Sequence, residues 1–315
     1  MRIVVKKYKY VIFAMAIVLG LIFASFYQYY KDYYSYYPEY YRIKNHCTFD
    51  KEERPSYCNR FSSKENLDFY LENSDPVKRY QRLDVITLTS EIVENNIFSS
   101  LQIFSPLLIM IAVIGTIHSA FQSGMFKNYL LRMSYKKYLQ QIQKTIFAVA
   151  FMMPLALIIV FFLSCCITKF NFNIDAETMG FAVYDAWKYH HFLLYGSIIC
   201  IIQYLMGIMY GELAVLCCRK NKSMLVSIIL GYLLFLCLNI FIYVGVYSIL
   251  LNKLLGFKNL SEYFNIAGYW FFNQPMNYGL LILIVLIMSS MSYLITSFIY
   301  RSKEKRILEY EKQNT

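Results

Sequence analysis

Six uncharged, strongly apolar runs punctuate the chain, at about residues 10–27, 104–121, 146–167, 192–217, 224–250 and 278–300. Each is close to the roughly 20 apolar residues that a helix needs to cross bilayer hydrocarbon at about 1.5 Å per residue. Hydrocarbon offers no water to solvate a bare N–H or C=O, so helices satisfy such runs at least cost. The pattern predicts an all-α membrane protein with six transmembrane helices. Between the first two runs, residues 29–100 carry most of the acids and form the one stretch polar enough to fold in water. Helical spacing recurs there at 66–71 and at 86–97, with Glu91 and Glu94 on a polar side of the latter. The expected organisation is a basic tail and first helix over 1–28, a sizeable extracellular loop domain over 29–100, and five further helices over 101–315.

Composition agrees with this pattern. The 315 residues are 58 % apolar and 16 % charged, with a mean hydropathy of +0.39, which excludes an ordinary soluble enzyme. The 31 Lys and Arg against 20 Asp and Glu leave a net charge of +11. Short basic clusters precede the first span (Arg2, Lys6, Lys7, Lys9) and separate the second from the third (Lys127, Arg132, Lys136, Lys137, Lys144). Others separate the fourth from the fifth (Arg219, Lys220, Lys222) and follow the sixth (Arg301, Lys303, Lys305, Arg306, Lys312). With six spans all these clusters lie on one side, and the positive-inside rule makes that side, with both termini, cytoplasmic. The basic excess is then a topology signal, and no nucleic-acid partner is expected. The first apolar run is too long for a signal peptide and lacks a small-x-small exit near Phe26, so it reads as a retained anchor. Heavy use of Lys, Ile, Asn and Tyr points to an AT-rich bacterial genome, and hence to a bacterial plasma membrane.

Residues 27–41 read YQYYKDYYSYYPEYY. Tyrosine at this density suits the headgroup zone, where the ring meets acyl chains and the hydroxyl meets water; a platform for carbohydrate or peptide is the alternative. Cys47 and Cys58 are the two cysteines of the outer loop. An oxidising exterior permits a bridge between them, and two free thiols are the other option. Cys165, Cys166, Cys200, Cys217, Cys218 and Cys237 sit in or beside apolar spans, where cysteine acts as a small hydrophobe. The outer loops at about 168–191 and 251–277 are aromatic, and the second has the composition of a segment that dips back into the membrane.

The chain lacks a GxxxxGK[ST] phosphate loop, so no cofactor is expected on it and any ATP is handled elsewhere. Chemistry at membrane depth needs a metal or a general base, yet only His118 and Glu212 lie in or at the edge of spans, with no HExxH or paired-carboxylate motif. His190 and His191 read as interfacial residues, and no set of side chains has metal-ligand spacing. Glu212 is one to two helical turns before Arg219 and Lys220, which predicts an ion pair. Gly207 and Gly211, at GxxxG spacing, predict a close helix approach.

The link from His118 to Lys144 is patterned rather than random. Gly124 ends or kinks the incoming helix, residues 125–132 form a short amphipathic helix, and Ser134 is placed to cap the next one. The apolar face of that helix, Tyr135, Tyr138, Leu139 and Ile142, leads into the third span. Lys127, Arg132, Lys136 and Lys137 then face lipid phosphates or an acidic groove on a partner. At this segment the chain resembles the permease subunits of ABC-2 type ABC transporters. They show a Pro in the second span, an acidic or polar residue two before a Gly, then a Lys, two Leu, a Ser and a basic residue. Here these are Pro106, Gln122, Gly124, Lys127, Leu130, Leu131, Ser134 and Lys136, with Gln122 standing where the family usually has an acid. The resemblance extends to the six-span plan, the large outer loop after span one, the tight turn RKNKS at 219–223 and the short basic tail.

Such a resemblance implies a dimeric exporter permease that docks a separate ABC ATP-binding subunit, where ATP and Mg would sit. The ATPase-coupling residues it implies are Gln122, Gly124, Lys127, Leu130, Leu131, Arg132, Ser134, Lys136 and Lys137, in a coupling helix at about 124–137. The cargo it implies is a hydrophobic or amphipathic molecule, such as a lipid, peptide or drug. A reading from a different class is a non-transporting membrane receptor or immunity protein that binds an extracellular peptide through the Tyr-rich loop.

Overall fold

The computed structural model describes residues 2–47, 56–58, 61, 63–73, 83–122, 134–172, 191–218, 223–256, 263–264 and 277–301. Among them every regular element is helical. The helices are α1 (Arg2–His46), α2 (Lys64–Asn73), α3 (Val85–Glu94), α4 (Asn96–Gln122), α5 (Tyr135–Ala150), α6 (Met152–Ile167), α7 (Phe192–Cys218), α8 (Met224–Ile240) and α9 (Tyr278–Ile299). A short 3-10 turn covers Ser56–Cys58. Six stretches among the described residues are long and apolar enough to cross a membrane: Tyr8–His46, Asn96–Ser119, Tyr135–Ile167, Phe192–Cys218, Met224–Leu254 and Tyr278–Ile299. The protein is a multi-pass helical membrane protein.

The helices run past the apolar boundaries, for local reasons. α1 continues through the Tyr-rich segment to His46 instead of ending near Tyr27. Phenol rings one turn apart support one another there, with centroids 6.4 Å apart for Tyr29 and Tyr33, 5.9 Å for Tyr33 and Tyr37, and 6.2 Å for Tyr37 and Tyr41. The segment expected to be one helix over 86–97 is divided. Asn95 takes an extended backbone that ends α3, and its Oδ1 accepts the Ile97 N–H at 2.9 Å to start α4. Inside α4, Pro106 has no N–H for the Gln102 carbonyl, and the Ser105 hydroxyl donates to that carbonyl instead at 2.6 Å. The third span breaks at Phe151, between α5 and α6, because Pro154 cannot supply an amide hydrogen to Ala150. In the fifth span the winding opens from α8 to i→i+5 geometry over Phe241–Leu254. Gly256, at φ +76°, then ends it in the left-handed region that glycine adopts freely.

The chain forms two compact units. The first comprises Met1–Leu21, Ser99–Ile158 and Leu193–Thr315. Its interior is set by close approach of backbones. A Cβ added at Gly207 would lie 2.9 Å from both the Cα and the carbonyl oxygen of Ala150, and one at Gly211 would lie 2.6 Å from Ile146 Cγ2. The GxxxG spacing therefore seats α7 against α5 within one chain. Around that seam Ile146, Ala150, Met206 and Tyr210 are fully buried.

The second unit comprises Ile22–Phe98 and Ile159–Phe192. Its small core gathers Ile43, Phe61 and Leu67 around the Cys47–Cys58 disulfide, whose Cα atoms are 5.6 Å apart. The Tyr40 hydroxyl donates to the Leu71 carbonyl at 3.2 Å, and the Arg42 guanidinium stacks 4.3 Å over the Tyr57 ring. α3 opens with Asp84, which accepts the Ile86 and Thr87 N–H groups at 2.8 Å each. The start of α3 is held by Asn171, whose carbonyl accepts the Val85 N–H at 2.8 Å and whose amide donates to the Leu83 carbonyl at 3.2 Å.

The glycine seam gives a paired expectation. Gly207→Ala should lower the thermal midpoint of the detergent-solubilised chain by the equivalent of about 1–3 kcal/mol, because backbone rather than a side-chain tip must yield. Gly20→Ala, at a helical position with nothing within 4 Å, should leave the midpoint level or slightly raised. Equal melting of the two variants would remove the seam from the account.

Candidate functional site

The site is built from the first turns of α5 and the last turns of α7 and α9. Ser134 caps α5, its Oγ accepting the Lys137 N–H at 3.4 Å, while Tyr138 and Ile142 turn inward and are buried. Lys136 and Lys137 are exposed in the first turn. Cations there oppose the helix dipole, so local helix stability does not account for them. Of the other expected coupling residues, Gln122 is the last residue of α4, and Gly124, Lys127, Leu130, Leu131 and Arg132 lie outside the described residues, as does the expected helix over 125–132. The basic turn at 219–222, most of the outer loops and the tail from 302 onward also lie outside them.

Two tyrosine hydroxyls tie the three helix ends together. Tyr135 donates to the Tyr300 carbonyl at 2.8 Å, and Tyr300 donates to the Val215 carbonyl at 2.8 Å. The first bond joins α5 to the end of α9, and the second joins that end to α7. Each satisfies a carbonyl near a helix C-terminus, where the last carbonyls lack intrahelical partners. Tyr135 belongs to the apolar face of α5 and Tyr300 to the end of a span, and neither position in the sequence announces a partner for its hydroxyl.

Inside this clamp a cleft of about 570 Å³ opens between α5 and α9. One wall carries two adjacent stripes of α5, Lys136, Gln140 and Lys144 on one and Leu139, Gln143 and Phe147 on the other. The opposite wall is one face of α9, with Tyr293, Thr296, Ser297 and Tyr300. Lys136 thus lines the cleft, while Lys137 does not.

Behind the cleft stands Glu212 of α7, fully buried. Gln143 of α5 and Thr296 of α9 lie against its carboxyl group, but neither oxygen makes a well-formed hydrogen bond among the described residues. The Thr296 hydroxyl donates to its own helix, to Ser292 O at 3.0 Å. Glu212 therefore faces across to two other helices. Its expected partners Arg219 and Lys220 lie outside the described residues. An ionisable group inside a bundle is costly and is a functional candidate for that reason. His118 is likewise buried, in α4. Among the described residues, no three His, Cys, Asp or Glu side chains gather as metal ligands would.

Comparison of the chain with protein-family models, with curated proteins and with solved structures finds no match. The site must be read from its own residues.

The Glu212 geometry predicts a split between two substitutions. Glu212→Gln keeps the shape and removes the burden of burying a carboxylate, so the thermal midpoint should hold or rise. Glu212→Ala opens a hole behind the cleft, and should cost about 2 kcal/mol. A Gln variant that melts as low as the Ala variant would mean that the carboxylate is held by a charge partner.

Proposed function

We propose that this chain is the permease subunit of an ATP-driven exporter of the ABC-2 type, working as a dimer with a separate ATP-binding subunit and moving a hydrophobic or amphipathic cargo. The observation that carries the reading is the start of α5. There a serine-capped, basic, amphipathic helix follows directly on the segment that bears the family-like residues, and it forms the first half of the third span, continuing into α6 through a single bend at Phe151. A push on this helix does not stay local. Through the hydroxyls of Tyr135 and Tyr300 it reaches the ends of α9 and α7, and through the Gly207–Ala150 seam it reaches the middle of α7. Closure of two ATPases against two such helices would rotate these elements as bodies, and rotation at one membrane surface becomes a change of access at the dimer interface.

The exposure of the spans fits a second copy. The first, fifth and sixth spans are 22 %, 17 % and 22 % buried within the chain, against 61 %, 50 % and 50 % for the other three. In the family this chain resembles the cargo lies between the two copies against spans one, two and five, of which the first and fifth are exposed here and the second is not. Lipid covers whatever a partner does not. In this reading both termini and the start of α5 face the cytoplasm of a bacterial cell, as the basic clusters require. No catalytic role falls to the chain, and ATP and Mg belong to the partner.

The second reading is a receptor or immunity protein. It draws on the phenol-rich face of α1, where Tyr27, Tyr30, Tyr34 and Tyr41 are exposed beside the disulfide-closed core. The two readings part on one purification. From its own cells in mild detergent, the exporter subunit should bring down a protein with a phosphate-binding loop in equal amount. Charge reversal at Lys127, Arg132 and Lys136 should cut that recovery about tenfold while membrane insertion is unchanged. Repeated recovery of the intact chain with no such ATPase would favour the receptor.

A further inference from the structure

The cleft between α5 and α9 has a polarity gradient that follows membrane depth. Lys144 is the last charged residue before the uncharged run of the third span, and Arg301 is the first after that of the sixth. The boundary between headgroups and acyl chains therefore passes through the cleft. Lys136 and Gln140 lie above it with Ser297 across from them, and Lys144 lies at it. Phe147 and Tyr293 lie below. From Lys136 to Phe147 the axial rise is about 16 Å, enough to pass from water-facing headgroup into hydrocarbon. Neither lysine has an ion-pair partner among the described residues. Two cations, an amide and a hydroxyl thus line the cleft above an apolar floor, and among the described residues the nearby carboxylate of Glu212 is turned to Gln143 and Thr296 rather than to either lysine.

We propose that this cleft binds one anionic glycerophospholipid, with its phosphate held between Lys136 and Lys144 and its acyl chains running down over Phe147 and Tyr293. The phosphate supplies an anion to the two lysines, and Gln140 and Ser297 donate to its remaining oxygens. A cavity of about 570 Å³ takes the phosphate, the glycerol and the first carbons of the chains. The remaining length lies on membrane-facing side chains such as Phe147 and Leu294, which are 40 % and 63 % exposed. A free phosphate shares the headgroup chemistry but leaves the apolar lower half of the cleft empty. The lipid would brace α5 against α9 at the level of the tyrosine clamp. The inference stands on the cleft alone and does not depend on the transport reading.

The test uses the full chain reconstituted in phosphatidylcholine with a minor share of phosphatidylglycerol, gently extracted, and weighed intact by native mass spectrometry. One retained phosphatidylglycerol per chain is expected, in clear preference to phosphatidylcholine. K136Q/K144Q should weaken that retention roughly tenfold or more. K31Q/K253Q, which removes the same charge from exposed positions elsewhere, should leave it intact. Phosphatidylglycerol with a photoactivatable acyl chain should label the stretch around Phe147 or Tyr293. Equal loss in both double variants would reduce the effect to general surface charge and overturn the proposal. Displacement of the lipid by inorganic phosphate, or retention unchanged in K136Q/K144Q, would overturn it as well.

Discussion

The contact between the backbones of α7 and α5 at Gly207 fixes the positions of the groups that matter in this chain. In a hydrocarbon solvent helices gain nothing by hiding apolar side chains from one another, so they are held by packing at short range. Gly207 permits that range, and Gly211 extends it one turn toward the end of α7. Once the two helices are locked in this register, Glu212 faces Gln143 and the Val215 carbonyl comes within reach of Tyr300. The cleft is the space left between the ends that this register brings together.

The same logic separates what the amino-acid order reveals from what it hides. Six spans are legible because hydrocarbon punishes every charge and every bare amide, and a run of uncharged residues records that penalty directly. The cap at Ser134 and the seam at Gly207 and Gly211 are legible too, since each is a local pattern. The length of α1 is not, because the segment after Tyr27 has the polarity of a loop while the order that sustains it is a stack of rings one turn apart. The division at Asn95 is hidden for a similar reason, since the apolar spacing continues across it. The clamp is the least legible feature. Tyr135 bonds a residue 165 positions away and Tyr300 one 85 positions away, and no local spacing announces either partner. Glu212 sits between these cases. Its presence in an apolar run marks it, but the neighbours that face it come from two helices distant in sequence.

The second unit shows a different solution to ordering a chain. A disulfide joins Cys47 to Cys58 within one small apolar cluster and shortens the loop that the remaining contacts must close. Asp84 and Asn171 do similar work without covalent chemistry, each satisfying two groups of the backbone around the start of α3. The large aromatic side chains left exposed on α1 there, Tyr27, Tyr30, Tyr34 and Tyr41, are phenols, which tolerate both water and lipid.

The bend in the third span reaches further than the span itself. Pro154 leaves the Ala150 carbonyl without the amide hydrogen that a straight helix would give it, and Gly207 directs the bond on which a side chain would stand to within 2.9 Å of that same oxygen. A glycine has a hydrogen there. The carbonyl released by the proline thus faces a glycine of the neighbouring helix, in a space that any Cβ would close. The residue that interrupts one helix takes a donor from a carbonyl at the very place where another helix packs against it.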